Sequence, residues 1–464
     1  MVFLPLILIV PLFAVSEDRS FAIAMASAAF LFIIAVASAY LGLSQGFETL
    51  SFSSTYIPYL NVNFELALNS YTNILVLMSS VVILAAAMVS RNFIKESARA
   101  YNALFLLIQS AAFGFFLSGN LFLLYVFWEI SEFSMFFIIY LFGGYDRRYA
   151  AIKFLIYSLA ASLLLLVGIM VLYTYGPVHS FSIQTIASQS AALPAWARAT
   201  ATLLLLTAFL IKMPVFPFHA WLPDAHTEAP ATGSMILAGI LLKFGGYGLL
   251  LLFLILPFAL GYAKYMAVLF GVSAIYAAFV AIRQTHLKRL IAYISIVDMG
   301  IVALGLASSS ILGNAGAMYA MLSHGIVISL MFLIAGVLDE SFGTMLIEKI
   351  KGVVKSLPGL AYSFVFGVFA FAGIPLTAGF IGDVLIFTGA YGRFGLLGLA
   401  PLGAIFVMSA FMFLIVERVF LNSSAAVEPI FNPKKSDYYA IAFLMLATVV
   451  FGVLPFLLLA PFSA

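Results

Sequence analysis

The chain contains no cysteine. That absence removes thiolate-held iron–sulfur clusters, disulfides and a cysteine nucleophile from its repertoire. Charge is nearly as scarce: Asp, Glu, Lys and Arg make up 8% of 464 residues, far below the charged share of a soluble domain. No H-x-x-x-H or H-E-x-x-H pair occurs, and no G-x-G-x-x-G follows a strand-like run, so neither a metal site nor a nucleotide site has support. Paired mid-span histidines for haem are also missing, which argues against a redox enzyme in its own right.

What fills the chain instead is apolar: 65% of residues are hydrophobic and the mean hydropathy is +1.18. This is the composition of a polytopic membrane protein. The apolar runs are continuous rather than alternating, which excludes a transmembrane barrel. The fold expected is all-α, a membrane helix bundle of about 14 transmembrane helices. Hydropathy places them near 1–16, 21–43, 66–90, 101–118, 120–142, 150–175, 200–218, 230–255, 262–283, 287–307, 315–338, 358–392, 400–421 and 436–460. The first stretch has no basic residue before its apolar run and reads as a retained span rather than a cleaved signal. The longest connections, 44–65, 176–199 and 339–357, are too short for an extra domain.

Basic residues set the orientation. Of 21 Lys and Arg, sixteen flank the ends of odd-numbered spans, three flank the ends of even-numbered ones, and Lys212 and Lys243 lie within spans. Odd spans therefore end in the cytoplasm, and fourteen spans put both termini on the outer face of a prokaryotic cytoplasmic membrane.

Two spans are interrupted at their middles. Span 7 reads TAFLIKMPVFPFHAW, with Pro214 and Pro217 just after Lys212; span 12 reads FAFAGIPLTAGFIGDVLIF, with Gly373, Pro375 and Gly379 just before Asp383. Proline removes a backbone donor and clashes with the preceding turn. Such breaks persist at membrane depth only where they line a cavity or are covered by protein. They lie five spans apart, an offset that inverts topology, so two inverted five-helix repeats are expected. The chain divides accordingly into residues 1–100 (helices 1–3), 101–255 (helices 4–8), 256–421 (helices 9–13) and 422–464 (helix 14).

A charged side chain at the centre of a membrane helix costs roughly 2.5–3.5 kcal/mol on insertion scales. This chain places several there: Glu129 and Glu132 in span 5, Lys212 in span 7, Lys243 in span 8, Asp298 in span 10 and Asp383 in span 12. His324 joins them in span 11, with a titration range suited to a relay. Glu132 is one turn from Glu129 and stands as an accessory carboxylate. Snorkelling or plain structural pairing is the competing account of each charge, but the depth of Lys212 beside a helix break and of Lys243 mid-span argues for function. Gly233, Ala238, Gly239, Gly245 and Gly246 around Lys243 point to close helix packing. His219, His226, Asp224 and Glu228 cluster at the mouth of spans 7 and 8; a polar entry funnel is the expectation, with His219 and His226 as accessory groups and no metal. The set as a whole reads as a path for protons.

The segment KMPVFPFHAWLPDAHTEAPATGSMILAGILLKFGGYG, residues 212–248, resembles the signature of the antiporter-like subunits of respiratory complex I and related oxidoreductases. FWEISEFSMFF, HLKRLIAYISIVDMG, LSHGIVISLMFLIAG and AGIPLTAGFIGD fit the same family in order. The resemblance implies proton translocation by buried ionisable residues. It implies that Glu129 pairs with Lys212, that Lys243 is the central lysine, that His324 relays and that Asp383 is the terminal group. A carboxylate at 383 favours the M-type branch over the L and N types. It further implies neighbouring membrane-arm subunits as partners, with quinone, iron–sulfur clusters and the electron donor held there; this chain binds no cofactor or nucleic acid and catalyses nothing alone. A multi-subunit cation/proton antiporter and a membrane-bound hydrogenase are the alternative parent assemblies. Three positions depart from the family pattern: Asp298 stands where a histidine is common, Asp383 is shorter than the usual glutamate, and Asn69-Ser70 replaces Asp-Gly.

Overall fold

The computed structural model describes residues 1–45, 50–60, 62–421 and 427–462. Among these, thirteen helices are long and apolar enough to cross a membrane. They match spans 2–14 of the sequence reading. The first span is the exception: α1 (Phe3–Leu12) has 10 residues, about 15 Å of rise against a hydrocarbon core of about 30 Å. The cause is local. Glu17 and Asp18 end the apolar run early and serve instead as the acidic first turn of α2 (Glu17–Gln45), where they favour the positive end of the helix dipole.

The helix bundle carries one addition that hydropathy does not show. The connection after α2 holds an antiparallel hairpin, β1 (Leu50–Ile57) and β2 (Val62–Leu68), with Leu50 opposite Leu68 and Ser54 opposite Phe64. It sits on the turn between α4 (Ala98–Leu117) and α5 (Leu121–Phe142), where Gly119 N–H donates to the Glu65 carbonyl at 2.9 Å. Asn69, at one of the departing positions, caps α3 (Ser70–Phe93): its side chain accepts from the N–H groups of Tyr71 and Thr72, and the Thr72 hydroxyl receives the Asn69 N–H. An asparagine does here what aspartate would do.

Both expected helix breaks are present. After α6 (Arg147–Tyr175) and the short α7 (Ile183–Gln189), α8 (Ala195–Lys212) stops at Lys212 and α9 (Leu222–Glu228) resumes. Pro214 and Pro217 cannot supply backbone donors, and neighbours take up the freed groups: the Trp221 indole donates to the Ile211 carbonyl at 3.0 Å, and the Ser273 hydroxyl accepts from Phe216 N–H at 2.9 Å. A third irregularity was not read from sequence. Between α10 (Ala231–Ile236) and α11 (Leu242–Ile255), residues Leu237–Leu241 form a π-helical turn, a feature frequent at functional sites. Then come α12 (Ala263–Ala281), α13 (Leu287–Ser308), α14 (Ile311–Phe342) and the short α15 (Val353–Ser356). Next, α16 (Pro358–Phe371) and α17 (Ala378–Phe394) form the second broken span. Gly373 turns that break with φ +71°, and Leu376 follows at φ +74°. The chain ends with α18 (Leu402–Ile415), α19 (Lys435–Val453) and α20 (Phe456–Leu459).

The α10–α11 span and the middle of α14 are enclosed by other helices, whereas α2 and α6 present much of their surface outward. The enclosed pair is where the ionisable side chains gather.

Candidate functional site

Lys212 ends α8, at the negative pole of that helix, where an ammonium is favoured. Its Nζ donates to Glu132 Oε1 at 2.9 Å, and both side chains are buried. The aromatic rings around it complete a cation shell: Trp128 lies 5.0 Å from Nζ, Phe154 and Phe244 each 5.9 Å. The sequence reading gave this role to Glu129, and the structure corrects it. Glu129 faces the α6 side instead and accepts from the Ser162 hydroxyl. Glu132 points inward because α5 buries Trp128, Ser131, Glu132, Met135 and Ile139 along one stripe.

Lys243 begins α11 directly after the π turn. Its Nζ donates to the Ala238 carbonyl and contacts His324 Nδ1 at 2.6 Å. At that separation one of the two nitrogens donates to the other, because two protonated groups would repel each other. The contact is built by glycines. A Cβ on Gly239 would stand 2.5 Å from Ser329 Oγ, and one on Gly325 would stand 2.9 Å from the Gly239 carbonyl. Only bare backbones let α14 approach the π turn this closely, and that approach sets the lysine on the imidazole.

On its far side, His324 Nε2 lies 4.0 Å from Asp298 Oδ2 on α13. This is too long for a hydrogen bond. Both residues border a cavity of about 30 Å³ that also receives Asp383 and Ser323, large enough for a water molecule. Asp383, on α17, lies against the turn at Gly373, where an added Cβ would be 3.1 Å from Oδ2. The structure therefore brings His324, Asp298 and Asp383 to one small cavity, with Lys243 joined to it through His324, while Lys212 and Glu132 form a separate pair beside the ring of Phe244.

The family's identity follows from comparison with known proteins. Residues 118–413 match the family described as NADH:quinone oxidoreductase/Mrp antiporter, transmembrane. This chain belongs to that family. The matched region contains every ionisable residue of the site. NADH-quinone oxidoreductase subunit M of Rickettsia prowazekii is 36% identical over 409 residues, covering 86% of this chain and 82% of the relative. F(420)H(2) dehydrogenase subunit M of Methanosarcina mazei is 33% identical over 436 residues, covering 90% and 86%. Among solved structures, a chain of respiratory complex I from Thermus thermophilus with bound NADH superposes with a TM-score of 0.90 at 25% identity, covering 99% of this chain and 96% of that one. The M-type assignment drawn from the motifs agrees with these relatives.

His219, His226, Asp224 and Glu228 are expected from the sequence to gather as a polar funnel at the mouth of spans 7 and 8. In the structure each has its own surroundings. Asp224 binds Lys153 at 2.5 Å and Arg289 at 3.0 Å, and Glu228 accepts from Asp146 N–H at 2.9 Å. His219 packs against Tyr276, with ring centroids 5.2 Å apart, and His226 stacks on Phe332 at 4.4 Å with both ring nitrogens unpaired. Among the described residues no three His, Asp or Glu side chains are placed to hold a metal. Glu228 and Lys288 instead line a cavity of about 230 Å³ with Asp339, and Lys288 pairs with Asp339 at 3.5 Å.

Proposed function

We propose that this chain is the M-type, proton-translocating membrane-arm subunit of a complex I-like quinone oxidoreductase. The observation that carries this reading is the set of ionisable side chains inside the bundle: one buried ion pair, Glu132–Lys212, and one contiguous group, Lys243–His324–Asp298–Asp383. Buried charges of this number are costly and are kept where they move ions. Their energies are coupled, so a change in one shifts the proton occupancy of the next.

Electron transfer in partner subunits, which hold the quinone, the iron–sulfur clusters and the site for the electron donor, alters the field along the membrane arm. The Lys212 ion pair opens or closes in response. The proton between Lys243 and His324 then passes across the small cavity to Asp298 and Asp383. The chain performs no redox step itself. Its four segments, 1–100, 101–255, 256–421 and 422–464, act as peripheral helices, two inverted half-channels and a closing helix. It resides in a prokaryotic cytoplasmic membrane with the basic loops inside. The relatives support a redox assembly over a free-standing cation/proton antiporter, because subunit M chains align over most of both lengths. Identification of co-purified subunits separates the two.

The decisive substitution is Lys243→Ala in the assembled complex, reconstituted into vesicles. Proton pumping should fall below detection while the complex stays intact on a native gel. Pumping at normal stoichiometry would end the proposal.

A further inference from the structure

Among the described ion pairs, Asp224 on α9 is the one carboxylate shared by two cations. Its Oδ2 lies 2.5 Å from Lys153 Nζ on α6, and its Oδ1 lies 3.0 Å from the Arg289 guanidinium on α13. An exposed ion pair holds little. This carboxylate is largely enclosed, with 14% of its side chain exposed, and each oxygen is satisfied from a different helix. It therefore seats α9 between α6 and α13. A helix of seven residues needs such seating, because one this short is unstable by itself.

Three residues before Asp224, the Trp221 indole donates to the Ile211 carbonyl at 3.0 Å. That carbonyl belongs to the last turn of α8, whose oxygens have no intrahelical partner, and it directly precedes Lys212. The same indole packs on Phe154, with ring centroids 5.5 Å apart, and Phe154 lies 5.9 Å from Lys212 Nζ. Phe154 follows Lys153 in α6, so the ion pair and the aromatic contact are neighbouring rungs of one α6–α9 contact. Helix α11 leaves the break no slack: a Cβ on Gly245 would stand 2.6 Å from the Met213 nitrogen and 2.7 Å from the Phe209 carbonyl. The backbone that carries Lys212 is thus held by α11 directly and by α9 through one indole.

We infer that Asp224 is a positioning residue for Lys212, acting through Trp221 rather than by contact with the ammonium. Without its charge, α9 loses its hold on α6 and α13 and the indole withdraws. The Ile211 carbonyl is then unpaired at membrane depth, where backbone must find another partner, and Lys212 shifts with it. Misplacement by about 1 Å can cost about 100-fold in a step that depends on position. This rests on the proton-translocating reading above and adds to it a residue that the sequence placed only in an entry funnel.

The test is a set of variants in the complex reconstituted into vesicles, with assembly followed on native gels and pumping normalised to electron transfer. Asp224→Asn keeps the shape and removes the charge; Trp221→Phe keeps a ring on Phe154 and removes the donor. Each should lower pumping at least about threefold, and the double variant should fall no more than about twofold below the lower single, because both act on one contact. Asp224→Glu keeps both cations within reach and should recover at least about half of what Asp224→Asn loses, which a loss of packing would not predict. Normal pumping in Asp224→Asn, a double variant nearer the product of the singles, or Glu no better than Asn overturns the inference. Should Asn at 224 prevent assembly, Lys153→Met and Arg289→Met, each removing one of the two cations, take its place in the same comparison. Lys243→Ala judges the proton-translocating reading separately: pumping lost there but normal in Asp224→Asn removes this inference alone.

Discussion

The amine of Lys243 has an imidazole and a carbonyl for partners, deep inside the bundle. Lys243 is fully buried, and removing His324 would leave it the Ala238 carbonyl alone. His324→Ala should therefore cost about 1–3 kcal/mol in stability and abolish pumping. His324→Gln supplies an acceptor of similar reach but cannot carry the proton, so it should keep most of the melting temperature and lose pumping equally. Melting of the detergent-solubilised complex and pumping in vesicles, measured on both variants, check this; recovery of pumping by Gln would reduce His324 to a packing residue. The ionisable set itself was legible because a charge inside an apolar run has no other camouflage. Which of Glu129 and Glu132 faces inward was not legible. Helix α5 is apolar nearly all round and has no stripe to orient it, so the sequence showed two candidates and the packing chose the second.

At the level of elements, the approach of α14 to the π turn governs the site. A methyl at Gly239 would stand 2.5 Å from Ser329 Oγ and 2.9 Å from Val82 Cγ1, and neither the serine, tied to the Gly325 carbonyl at 2.7 Å, nor the valine is free to leave. Gly239→Ala should destabilise the protein by about 1–3 kcal/mol through overpacking, and should lower pumping by widening the gap between Lys243 and His324. Gly261, with open space around its Cα, is the control: Gly261→Ala should change neither reading. The glycines near Lys243 announced this packing in advance. The two helix breaks were equally plain, since proline enforces them. The hairpin escaped notice although residues 62–66 alternate apolar and polar as a strand does, because a hydropathy window long enough to find spans averages that alternation away. The π turn left no sequence signal at all, being a consequence of backbone accommodation between packed helices.

For the molecule as a whole, the absence of cysteine turns from an exclusion into a tool. The basic residues collect at one end of the bundle, where Arg147 and Arg148 begin α6 and Lys288 and Arg289 begin α13; the hairpin occupies the other end, seated on the α4–α5 turn. The orientation proposed above, with the basic loops inside, assigns every other loop by alternation. Tyr145, before α6, and Tyr59, at the tip of the hairpin, are both fully exposed, so each can carry a single cysteine without disturbing a contact in this chain. Tyr59→Cys in intact cells should react with a membrane-impermeant maleimide, and Tyr145→Cys should react only after the membrane is opened. The reverse pattern would invert the protein and, with it, the faces from which Glu228 and Lys288 are reached. Labelling of both from outside would mean that one of the three helices between them, α3, α4 or α5, does not cross. This result also decides which face of the membrane the cavity at Lys288 and Asp339 opens towards.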